Sequence, residues 1–153
     1  MKILFIIIFG LGLFILSFSS MAEKFSLPKE NEEVSFTEIE QICKHFELPK
    51  LWEKIQSDPP EKIFKSDGCT AWFDQWQGKD LYSACFKHDL QYWAGRPNES
   101  LERLRADTDL MLDVAAILGD TKMAETMFHG VRLGGDGFFK TDFSWGFGRN
   151  DSD

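Results

Sequence analysis

Two stretches with helical periodicity, about Asp80 to Trp93 and Asn98 to Leu118, meet at Gly95-Arg96-Pro97, and this junction constrains the fold more than anything else in the chain. So tight a turn makes the two helices antiparallel neighbours. On a wheel of about 100° per residue, Leu81, Ala84, Cys85, His88 and Tyr92 share one sector of the first helix. Asp89 flanks that sector, beside a second stripe of Tyr82, Phe86 and Trp93. The seam of the second helix reads Leu104, Asp107, Met111, Val114, Leu118, so a carboxylate holds a core position. Burying a charge is costly unless something pairs with it. Across an antiparallel interface the natural partner of Asp107 is the histidine or tyrosine facing it. Glu102, Arg105, Asp109 and Asp113 fall on the opposite face, where solvation and an Arg105–Asp109 pair at i,i+4 are expected. A base oriented by a buried acid is what general-base catalysis requires.

The remaining segments read as short helices and loops. Phe36 to Ile55, interrupted by Pro49, suggests two short helices, and Asp58-Pro59-Pro60 ends them. Asp80 and Asn98 are candidate N-caps of the long helices, Gly119 is placed to close the second, and Asp120 caps a third that fades near Leu133. No long strand-like alternation appears before the tail. The architecture is therefore all-α. Residues 134–153 are rich in Gly and aromatics and are expected to wrap the helical core or form a small hairpin, at the border of a ligand channel in one variant of that reading.

At the other end, Lys2 precedes an apolar run from Ile3 to Phe18, with Ser20 and Ala22 at the −3 and −1 positions of a cleavage after Ala22. The run is short against the roughly 20 residues of a spanning helix, so residues 1–22 read as a signal peptide. Removal leaves 131 of the 153 residues, residues 23–35 as a linker or arm, and 36–153 as a single domain with its core at 64–133. The chain is then secreted or periplasmic, in an oxidising compartment where cysteines pair. With 17 Lys+Arg against 25 Asp+Glu, the surface is acidic, which argues against nucleic acid as a partner.

A second group of residues consists of Asp67, Gly68 and Cys69 on a loop and Cys85, His88 and Asp89 on the first long helix. A Cys69–Cys85 bond would bring Asp67 and the loop carbonyls near Asp89, giving hard oxygen donors suited to calcium. The competing reading uses Cys69, Cys85 and His88 as zinc ligands, which suits a reducing cell.

Ser66-Asp-Gly-Cys-Thr-Ala, Ala84-Cys-Phe-Lys-His-Asp-Leu-Gln-Tyr-Trp93 and Ala106-Asp107 resemble the secreted phospholipase A2 superfamily, most of all its bacterial and fungal members with few disulfides. The similarity spans Phe64 to Leu118. It implies two long antiparallel, disulfide-linked helices with short helices and a calcium-binding loop, the bridge being the loop-to-helix pair Cys69–Cys85. It also implies calcium-dependent hydrolysis of the sn-2 ester of glycerophospholipids at a membrane or micelle surface, releasing fatty acid and lysophospholipid. In this scheme His88 is the general base, Asp107 orients it, Tyr92 steadies Asp107, and Asp67, the Gly68 carbonyl and Asp89 bind Ca2+.

There are departures. Thr70-Ala71-Trp72-Phe73 replaces the longer Gly- and Cys-rich calcium loop of animal enzymes, and Gln91 stands where many relatives have Cys. Trp72, Phe73 and Trp76 are read either as a rim docking on lipid or as core. Cys43 is left unpaired and expected to be buried, and His45 and His129 are read as structural or exposed. The alternative function is a catalytically weak or inactive lipid- or partner-binding protein on the same scaffold. Zinc-protein or purely structural readings stand behind it.

Overall fold

The structure is a computed structural model describing residues 25–70 and 72–149. The expected signal peptide lies outside the described residues. Five α-helices and one two-stranded hairpin are found among those described, so the chain is mostly helical, as its periodicity predicts.

Helix α1, Phe36–His45, starts at a capping box in which Ser35 and Glu38 each satisfy the other's backbone N–H, and it buries Ile39, Ile42 and Cys43 on one stripe. Helix α2, Pro49–Ser57, has proline in its first turn, where the missing N–H costs nothing. A hairpin of β1, Gln75–Trp76, and β2, Lys79–Asp80, turns at Gln77 and Gly78, both at positive φ. This hairpin lies ahead of the first long helix. The tail, for which a hairpin was one expectation, instead wraps the core.

Helix α3, Tyr82–Trp93, is central. Ala84, Cys85, Phe86, His88, Leu90, Tyr92 and Trp93 are all buried, so it is covered on nearly every side. Phe86, Leu90 and Trp93 pack with Ile39, Ile42, Cys43, Ile55 and Phe64, while Ala84 and Cys85 pack with residues of α4 and α5. Asp80 does not cap α3 formally, but its carboxylate accepts the Tyr82 N–H at 2.8 Å. Helix α4, Ser100–Leu118, has Glu99 at its N-cap position where Asn98 was expected, because Asn98 takes a turn conformation at φ 70°, and it ends at Gly119 in the left-handed region, φ 69°. Helix α5, Thr121–Gly134, is capped by Asp120, which takes the N–H groups of Lys122 and Met123.

The pairs Lys87–Asp113, Gln91–Asp109 and Tyr92–Asp107 show α3 and α4 running antiparallel. They also correct the reading of the outer face of α4. Glu102, Asp109 and Asp113 are half-buried and bonded to Lys54, Gln91 and Lys87, and Asp109 takes the Gln91 amide where an Arg105 pair was expected. The seam is rotated too. Leu104 is 41% exposed, and the buried stripe is Arg103, Ala106, Asp107, Leu110 and Val114. The reason is that α4 serves two neighbours, α3 and α5, where the wheel assumed one.

The arm expected to be loose is docked. Val34 is buried and bridges Phe64, Asn31 N–H reaches the Ser66 carbonyl at 2.7 Å, and the Tyr82 hydroxyl donates to the Pro28 carbonyl. The disulfide joins Cys69 of the loop to Cys85 of α3, so it staples loop to helix and does not link the two long helices to each other. In the tail, Trp145 lies flat over Gly95, where a Cβ would come within 2.6 Å of the indole. Gly135 likewise leaves no room for a side chain against the Tyr92 ring.

Candidate active site

His88 and Asp107 meet because each lies on the buried stripe of its own helix and the helices are antiparallel. Asp107 is 0% exposed and His88 7%. His88 Nε2 lies 2.9 Å from Asp107 Oδ1, and the Tyr92 hydroxyl donates to the same oxygen at 2.6 Å. A buried carboxylate accepts, so Nε2 carries a proton, and in the neutral ring Nδ1 is then the nitrogen with the lone pair. No described residue bonds Nδ1, and His88 lines an apolar cleft of about 210 Å³ with Trp72, Leu110, Met127, Val131 and Phe143. The ring thus borders, with one nitrogen unbonded by any described residue, a space suited to an apolar ligand.

Two arginines complete the acid's surroundings. Arg132 Nη1 donates to Asp107 Oδ2 at 2.6 Å, and Arg103 Nε stands 4.0 Å from the same oxygen. Arg103 is itself buried, held by Asp136 at 2.6 Å, by the carbonyls of Val131 and Arg132, and by the Tyr92 oxygen. Burial pushes the Asp107 carboxyl up, but the hydrogen bonds from His88, Tyr92 and Arg132 outweigh it and hold its pKa below the ordinary carboxylate value. Burial, with Asp107 beside it, raises the Tyr92 phenol, which therefore stays a donor. Neither arginine is evident on the helical wheel. Arg103 left one signal, its place four residues before Asp107, whereas Arg132 reaches in from α5 on a long stem and left none.

The loop places the second group. Gly68 has φ 76°, and a Cβ there would fall 2.5 Å from Asp74 Oδ1, so only glycine fits on both counts. Asp74, which the sequence reading did not single out, also takes the Cys69 N–H at 2.9 Å and so shapes the loop. Asp67 is exposed and accepts the Thr70 hydroxyl. Asp89 is half-buried and accepts a single hydrogen bond, from Ser66 at 2.6 Å. Burial, then the charges of Asp67 and Asp74, raise its pKa well above the usual range. A half-buried carboxylate next to two more acids is an electrostatic deficit that a divalent cation would relieve. With Cys69 and Cys85 bonded to each other, the donors are oxygen only, which fits calcium and removes the Cys-Cys-His zinc set. Among the described residues no group of three His, Cys, Asp or Glu side chains could hold a metal, so a cation here would depend on carbonyl and water oxygens.

Of the other residues singled out, Cys43, His45, His129, Phe73 and Trp76 do not line the cleft, whereas Trp72 does. Cys43 is free and buried, and burial pushes its thiol up to about 12. His45 stacks on Phe25 and His129 touches Phe128, both exposed. Trp72 and Trp76 are half-buried against the α3–α5 core, while Phe73 is 65% exposed and stacks on Trp76, so the aromatic segment divides between core and rim. No described helix is long and apolar enough to cross a membrane. No family model, curated protein or solved structure matches the chain.

Proposed function

We propose that this protein is a calcium-dependent hydrolase of glycerophospholipid sn-2 esters, with a phospholipase A2-like arrangement of its loop and two long helices, acting outside the cytoplasm at a lipid surface. One observation carries the reading: a histidine whose Nε2 is held by a buried, hydrogen-bonded carboxylate lines an apolar cleft. Water held at Nδ1 loses its proton to the ring as it attacks the ester carbonyl. Asp107 keeps the ring in the productive tautomer and stabilises the imidazolium that forms. The imidazolium then returns the proton to the departing alkoxide, so ring and carboxylate end as they began. Asp67, Asp89 and the Gly68 carbonyl would hold the cation, which when bound supplies a positive charge for the substrate phosphate and the developing oxyanion. The cleft takes the acyl chain, and Phe73 with Trp76 reaches the lipid at the loop's edge.

The test is fatty acid release from phosphatidylcholine vesicles. The protein without residues 1–22 is expected to release fatty acid with calcium, to stop when a chelator is added, and to lose turnover on His88→Gln while remaining folded. Calcium-independent release, or turnover surviving His88→Gln, would overturn the proposal. Lipid binding without any release would instead assign the chain to the non-catalytic alternative.

A further inference from the structure

We propose that Arg132 of α5 is a positioning residue for the His88–Asp107 pair, fixing the plane of the Asp107 carboxylate through the oxygen that histidine and tyrosine do not use. The inference rests on the catalytic reading only where turnover is its readout.

The two oxygens of Asp107 are divided. Oδ1 receives His88 Nε2 and the Tyr92 hydroxyl, and Oδ2 receives Arg132 Nη1 at 2.6 Å. Arg103 is the nearest other cation, but its Nε stands 4.0 Å off, and its nitrogens are bonded to Asp136, two α5 carbonyls and Tyr92. Arg132 is thus the one direct donor to Oδ2 among the described residues. The terminal torsion of an aspartate is broad and roughly two-fold, and the position of either oxygen sets it. A donor on the far oxygen therefore stiffens the same torsion from its other end and opposes rotation of the acceptor away from the Nε2–H direction. The tie comes from α5, whose Met127, Gly130, Val131 and Gly134 line the cleft. One helix therefore supplies both a wall of the ligand space and the pin behind the base.

Removing the pin is expected to matter for chemistry and not for ligand capture, because Arg132 does not line the cleft. For Arg132→Gln, kcat on phosphatidylcholine is expected to fall roughly 10- to 100-fold with KM nearly unchanged, the scale of a small misplacement of a reacting group. Nitrogen-15 NMR at pH 8 is expected to show His88 passing from one tautomer, protonated on Nε2, to a mixture. Arg132→Lys, which keeps the charge but offers one point of contact, is expected to recover part of both, and it carries the test if Arg132→Gln does not fold. A variant that unfolds at lower temperature but keeps the wild-type tautomer and kcat would overturn the inference and leave the phospholipase reading intact. If the wild type hydrolyses no phospholipid while Arg132→Gln still mixes the tautomers, the positioning role stands and the phospholipase reading fails.

Discussion

Replacing Asp89 with Asn tests the cation site in two opposite directions. The carboxylate is half-buried, has one hydrogen bond from Ser66, and faces the charges of Asp67 and Asp74. Its folded pKa is raised, so its ionisation favours folding least where it is charged. The group costs nothing below the ordinary value of about 3.9, and the cost grows as pH rises through the raised value. At pH 7 that cost cannot exceed the price of keeping the proton on. At 1.36 kcal/mol per unit over about three units, this bound is roughly 4 kcal/mol. Asparagine has the same shape, keeps an acceptor for Ser66 and carries no charge. Asp89→Asn is therefore expected to stabilise the calcium-free protein, by no more than that bound, and to raise its Tm. Calcium should reverse the order of effects: the wild type gains about 2.7 kcal/mol at a hundred times Kd, and the variant gains little. Differential scanning calorimetry at pH 7, in chelator and in calcium, reads both arms, and at pH 4 the chelator gap should narrow. A variant less stable than wild type in chelator, or equal calcium gains in the two proteins, would refute the reasoning.

Three further outcomes follow from the same geometry. Replacing Cys69 and Cys85 together with Ala opens a loop of 16-residue separation, and urea titration should record a loss of about 3 kcal/mol; a loss under about 1 kcal/mol would mean that the loop is held without its staple. Asp107, whose folded pKa is depressed, contributes stability that is present above about pH 3.9 and lost as pH falls through the depressed value. The urea-midpoint gap between wild type and Asp107→Asn should accordingly shrink between pH 5 and pH 2, whereas a pH-independent gap would contradict the ionic account. Finally, a Cβ at Gly130 or Gly134 meets nothing within 4 Å, and both line the cleft. Alanine at either should stabilise α5 by about 1 kcal/mol, while Gly130→Leu should shift hydrolysis toward shorter acyl chains. An unchanged chain-length profile would show that the acyl chain does not cross α5.

The residues read correctly from the sequence are those whose position follows from a helix's own repeat. Gly119 and Asp120 bound α4 and α5 because caps are local chemistry, legible without tertiary knowledge. Asp107 stood out because a carboxylate in an apolar seam demands a partner, the facing helix offered a histidine and a tyrosine, and both bond to it. What the repeat could not supply was the third body. Leu104 was placed in the seam by assuming a single interface, and the presence of α5 turned the stripe toward Arg103 and Leu110. Arg132 reaches Asp107 from a third helix and Asp74 holds the Cys69 loop from a non-periodic segment, so nothing in their spacing marked them.

The glycine- and aromatic-rich tail shows how far that support extends. Tyr92 does not hold Asp107 by its hydroxyl alone, because its ring must first be held. Trp145 packs edge-on against it with centroids 5.2 Å apart, and Gly135 gives it room on another side. Trp145 is fixed in turn by its indole N–H on the Arg96 carbonyl, at the turn between the two long helices, and the Trp145 and Gly146 N–H groups bond to the Gly135 and Tyr92 carbonyls. Trp145 therefore covers Tyr92 at the closed end of the helix pair, beside a carboxylate and an Arg103 that are both buried, while Arg132 stays 30% exposed. Exposing Tyr92 there would let solvent compete for the bond that it makes to Asp107. Gly95 and Gly135 let the chain lie close enough for this cover, whereas Phe138, Phe139 and Phe143 are exposed and take no part in it.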